Sequence, residues 1–177
     1  MRRITTLLGF WLIFPQAKQL APACECNSNG PFLTVAPKAA LVSLVKVNRF
    51  LSYQNISDIK TPLSMEAELV DLYKGQEKRR LITVWGDNGI LCRPYLSAFK
   101  EGNYYVIAFD STGRRSGDEK KGDYWISICG TYWLSVDTAA RKATGSIDDR
   151  NSSLELSKIR QHLIENDHKL RSMEQDN

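Results

Sequence analysis

The residues of this 177-residue chain that could do chemistry are few: four cysteines, two histidines and some closely spaced acids. Cys24, Cys26, Cys92 and Cys129 could ligate zinc or form disulfides. A four-cysteine zinc site shows two C-x2-4-C pairs, whereas here one C-x-C stands with two singletons, so two disulfides are expected. Cys24 and Cys26, adjacent-but-one on an extended chain, do not suit one another, and each is expected to pair with one distant cysteine. His162 and His168 lie six apart on a predicted helix and do not share a face, as a helical metal pair would require. Glu66 and Glu68 lie two apart on a predicted strand and can share a face. Paired carboxylates can do acid–base work, but acids on exposed strands are common. No G-x-S-x-G, H-E-x-x-H or phosphate-binding glycine loop is present. The chain is therefore expected not to be an enzyme, with no cofactor and no metal of its own.

The N-terminus sets the compartment in which these cysteines react. Met1-Arg2-Arg3 is a basic start, residues 4–14 are apolar, and Ala21-Pro22-Ala23 ends a polar break. These are the three parts of a cleavable signal peptide over residues 1–23. The apolar run is shorter than the roughly 20 residues that span a bilayer. Export to the periplasm or the extracellular space is expected, where cysteines are oxidised. Arg2, Arg3 and Lys18 carry three of the 24 basic side chains, leaving 21 against 20 acids in the remaining 154 residues. A formal charge of +1 offers no field for nucleic acid. Tyr104, Tyr105, Phe109, Tyr124, Trp125, Tyr132 and Trp133 therefore read as strand packing rather than as a base-stacking platform. Ala21-Pro22-Ala23-Cys24 is also a degenerate lipobox. Lipidation of Cys24 would block its amine and tether the chain to a membrane.

The elements that position these residues are mainly strands. Strands are predicted at residues 41–53, 64–73, 81–85, 104–109 and 124–136, the last interrupted at 129–131. One short helix fits within 32–40. Residues 54–62, 74–78 and 86–89 read as turns, and residues 111–123, rich in glycine and charge, as a mobile surface loop. Residues 138–150 read as a polar linker. Ser152-Ser153-Leu154-Glu155 fits a capping box opening a C-terminal helix, with Leu156, Ile159, Leu163 and Leu170 on one stripe packed against the strands. Five or six strands with short turns suit a small antiparallel barrel or sandwich. The expected division is a signal peptide over 1–23, a barrel over 24–137, a linker over 138–150, and a helix and tail over 151–177.

Cleavage after Ala23 would leave Cys24-Glu25-Cys26 at the new N-terminus. This C-x-C start resembles the tissue inhibitors of metalloproteinases and the wider netrin-like module family. The likeness continues in Glu68-Leu69-Val70-Asp71-Leu72-Tyr73-Lys74-Gly75, in Gly89-Ile90-Leu91-Cys92, in the F-x-x-G-x-x-Y-x-x-x-A run from Phe99 to Ala108, and in Cys129-Gly130-Thr131. It covers roughly residues 24–137. The resemblance implies a five-stranded OB-type antiparallel barrel, with the C-terminal α-helix outside it. It also implies the bridges Cys24–Cys92 and Cys26–Cys129. In function it implies an inhibitory ridge of Cys24, Glu25 and Cys26. The Cys24 amine and carbonyl oxygen would chelate the zinc of an extracytoplasmic metalloprotease, Glu25 would enter the specificity pocket, and Cys26 would lock the ridge. The alternative is an envelope protein-interaction or structural module with no protease target.

Overall fold

The computed structural model describes residues 26–113 and 117–175. Eight strands form one sheet: β1 (Leu41–Ile56), β2 (Ile59–Lys74), β3 (Leu81–Trp85), β4 (Tyr104–Ser111), β5 (Tyr124–Trp125), β6 (Trp133–Asp137), β7 (Lys142–Thr144) and β8 (Ser153–Glu155). Two helices flank it, the one-turn α1 (Phe32–Val35) and the C-terminal α2 (Ile159–Gln175).

Five of the strands form a ring. β1 pairs with β2, β2 with β3, β3 with β5, β5 with β4, and β4 returns to β1 through Leu41↔Phe109 to Lys46↔Tyr104. The β3–β5 contact is parallel, where an all-antiparallel sheet was expected. Register shifts along β1–β2, among them one between Val47 and Arg49, mark bulges that bend and twist the two long strands. Bends of this kind let a sheet curl back on itself.

Alternation along the strands builds two cores. Val45 and Val47 of β1, with Tyr105, Ile107 and Phe109 of β4, point into the ring. Val42, Val106 and Ala108 point outward and meet Phe32 of α1, Ala143 of β7 and Ile159 and Leu163 of α2. β4 is buried on both faces, which is why it reads as a continuous apolar run.

Several elements differ from the sequence expectation. Residues 54–62, expected as a turn, are the ends of two strands joined by Ser57 and Asp58, both at positive φ (49° and 64°). A two-residue turn with both residues left-handed matches strand twist. The polar character of residues 54–60 reflects a hairpin end that is largely solvated, while Thr61 and Pro62 are already buried. The expected linker contains β7, paired with β6 and β8. The expected capping box is β8 instead: Leu154 pairs with Ala143 and packs on the second core. A 3-10 turn over Leu156–Lys158 follows, and α2 begins at Ile159. Ile159 and Leu163 are buried as the stripe requires; the Leu170 side chain lies outside the described residues.

Candidate functional site

The described part of the expected ridge begins at Cys26; Cys24 and Glu25 lie outside the described residues. Cys26 is exposed and is bridged to Cys129, with the two Cα atoms 5.4 Å apart. This is the partner that the resemblance implies for Cys26. Two backbone bonds follow the bridge: Asn29 N–H donates to the Cys129 carbonyl (2.7 Å) and Thr131 N–H to the Gly30 carbonyl (3.0 Å). The arm therefore lies along residues 129–131 as an added extended segment. Gly130 permits this approach. A Cβ there would stand 3.0 Å from the Gly30 carbonyl oxygen and 3.1 Å from Val35 Cγ1, at φ +148°. Beyond Pro31 the chain is held again, by Phe32 N–H to Ser146 and Leu33 N–H to Ile147 (both 2.9 Å). Residues 26–29 are left exposed between these anchors.

The turn after β3 approaches the segment that carries Cys129. Cys92 is disulfide-bonded, and its carbonyl accepts from Ile128 N–H (3.4 Å). The Asp87 carboxylate orders this turn by accepting from Gly89 N–H (3.0 Å) and Leu91 N–H (2.7 Å). Two apolar side chains near these cysteines face solvent, Ile90 at 74% exposure and Ile128 at 39%.

A polar cluster on the outer face of β3 and β5 backs this end of the ring. Arg93, next to Cys92, makes a two-pronged ion pair with Glu119, and their side chains are only 11% and 3% exposed. The guanidinium also lies 5.2 Å from the centre of the Trp125 ring. On the neighbouring strand, the Trp85 indole N–H donates to the Asp123 carboxylate (2.8 Å), which also accepts from Lys120 N–H (2.9 Å). Thr112, Glu119 and Asp123 are buried. The described parts of residues 111–123 form the surface loop that the sequence suggested, with Gly117, Asp118, Lys120 and Lys121 exposed, but Thr112, Glu119 and Asp123 anchor it to the ring. Glycine and charge content signalled a loop; nothing local signalled that Glu119 would meet Arg93, 26 positions away.

A second anchor sits between β2 and β3. Glu77 accepts from Arg79 (2.6 Å) and from the Tyr124 hydroxyl (2.9 Å). The Arg79 guanidinium holds the Glu77 carboxyl down at about 2, and burial pushes the Tyr124 phenol up.

The remaining candidates are occupied by structure. Glu66 pairs with Arg49 (3.3 Å) and Glu68 with Arg80 (2.6 Å), in exposed cross-strand ion pairs. His162 faces Glu165 (3.7 Å), and His168 lies on the same helix, exposed. Tyr105 and Trp133 pack on Phe99 (5.1 and 5.5 Å between ring centres), and Phe109 packs on Tyr124 (5.8 Å), so these aromatics build core rather than a platform. Among the described residues no group of three acids, histidines or cysteines could hold a metal ion. No helix among them is long and apolar enough to cross a membrane. No protein-family model and no curated protein matches the chain.

Proposed function

We propose that the chain is an exported, disulfide-bonded binding module of the netrin-like kind, its ring an OB-type barrel and its N-terminal arm a ridge offered to a partner. The observation that carries this reading is the seating of the arm: Cys26 bridged to Cys129, with backbone bonds from Asn29 to Leu33 following the bridge. An arm held so firmly yet left exposed has lost most of its conformational freedom before binding, which lowers the entropic penalty of association. The ring order β1-β2-β3-β5-β4, closed on β1 with one parallel contact, supports the OB-type assignment.

The partner suggested by the resemblance is an extracytoplasmic zinc metalloprotease. A free α-amino group titrates near pH ~8, so zinc can displace its proton and take the nitrogen. A catalytic zinc keeps one position open for water. The Cys24 amine and carbonyl oxygen would expel that water, Glu25 would enter the neighbouring pocket, and Ile90 and Ile128 would add apolar contact at the flanks.

The test compares the protein processed to a free Cys24 amine with a variant carrying one alanine before Cys24, against a panel of zinc metalloproteases. The expected result is inhibition by the first and at least ~10-fold weaker inhibition by the second, about 1.4 kcal/mol. Equal inhibition by the two would refute chelation. No inhibition by either would favour an envelope interaction module without a protease target. The β1–β2 hairpin, which presents Leu51, Tyr53 and Ile59 to solvent, supports that second reading.

A further inference from the structure

We propose that a cavity on the outer face of the ring is a slot for a basic side chain, lysine or arginine, presented by a protein partner. The cavity encloses about 220 Å³, the scale of one long side chain. Its walls come from three stretches distant in sequence. Gln54 and Leu63 belong to the β1–β2 hairpin, Trp85 and Asn88 to the end of β3 and its turn, and Asp118 and Glu119 to the segment before β5.

The charges select a cation. Glu119 is satisfied by Arg93 through both carboxylate oxygens. Asp118 is exposed and enters no ion pair among the described residues, which leaves the slot one unmatched negative charge. Gln54 can turn its amide oxygen toward an ammonium or guanidinium, Asn88 Oδ1 accepts from Ile90 N–H (3.3 Å) and keeps one lone pair, and Leu63 can cover an aliphatic stem.

Trp85 sharpens the selection. Its one hydrogen-bond donor is already committed to the Asp123 carboxylate, so the indole offers an incoming group only its π-system. A carboxylate on the indole N–H also pushes electron density into the ring, which strengthens attraction for a cation. The molecule uses the same chemistry one strand away, where Arg93 lies on Trp125 with Glu119 as its counter-ion. Trp85 and Asp118 line the slot together, an indole and a carboxylate in one set of walls. The inference does not depend on zinc chelation, because it is argued from Gln54, Leu63, Trp85, Asn88 and Asp118 alone.

The test uses the full mature protein labelled with 15N and follows the indole N–H resonance of Trp85. The probes are Nα-acetyl-lysine methylamide and Nα-acetyl-arginine methylamide, with the norleucine analogue as the uncharged control and N-acetylglucosamine as a neutral polar one. The expected result is a saturable shift with the cationic probes at millimolar concentration, and at least ~3-fold weaker binding to Asp118→Asn, as loss of one exposed charge partner implies. Raising the salt should weaken binding in parallel. Equal binding of the norleucine probe, tighter binding of the sugar, or an Asp118→Asn variant that binds the cations unchanged would overturn the proposal. So would the absence of a saturable shift up to roughly 50 mM, an affinity below the reach of one cation–π contact with its ion pair.

Discussion

Replacing Cys26 and Cys129 together by alanine tests the crosslink that seats the N-terminal arm. The bridge spans a sequence separation of 103 residues. In the chain-entropy model a loop of that size stabilises the folded state by about 4.7 kcal/mol. Cys92 lies inside the loop and is itself disulfide-bonded, so a second crosslink shortens the path through the unfolded chain. The dependence is logarithmic, and each halving removes only about 0.6 kcal/mol. The expected loss is therefore about 4 kcal/mol. For roughly 150 residues the unfolding entropy near Tm is about 0.3 kcal/mol/K, which converts the loss to a Tm drop of about 13 °C. Scanning calorimetry and far-ultraviolet circular dichroism under oxidising conditions measure it. Hydrogen exchange supplies a local readout, because the amides of Asn29 and Thr131 bond across the bridged segments and should lose protection first. A Tm drop below about 4 °C, with those amides still protected, would refute the reasoning: the arm would then be held by something other than this crosslink.

Arg93→Met leaves the Glu119 carboxylate buried without its partner and should destabilise the fold by about 3–5 kcal/mol, while Arg93→Met with Glu119→Leu should lie within ~1 kcal/mol of the parent; denaturant unfolding of both variants checks the pair. Arg79 holds Glu77 at about 2 instead of its ordinary 4.5, so this group's stabilisation is complete above pH 4.5 and is lost as pH falls toward 2. Solvent around the half-exposed Arg79 reduces the effect to about 1.5 kcal/mol; Glu77→Gln should flatten that part of the stability–pH curve. Gly130→Ala places a Cβ 3.0 Å from the Gly30 carbonyl at φ +148° and should cost about 1–3 kcal/mol, with exchange protection at Asn29 and Thr131 reduced beyond the global loss.

Local pattern carried β3, β4 and the long runs of β1 and β2: half-buried stretches write alternation into the chain, and β4, buried on both faces, writes a continuous apolar run. It also carried the Ile159–Leu163 stripe, since one face of α2 is buried. Cysteine number and spacing pointed to disulfides rather than zinc. What failed locally failed for reasons of tertiary structure. Residues 54–60 look like a turn because a hairpin end that is largely solvated needs no apolar alternation. Ser153–Glu155 has the letters of a helix cap, yet it becomes a strand because β7 offers an edge and the second core needs Leu154 over Ala143. The parallel β3–β5 contact, the Arg93–Glu119 pair and the Trp85 slot join residues tens of positions apart. No local pattern encodes such meetings; ring closure decides them, by placing Trp85 beside Trp125 and folding residues 117–123 over both.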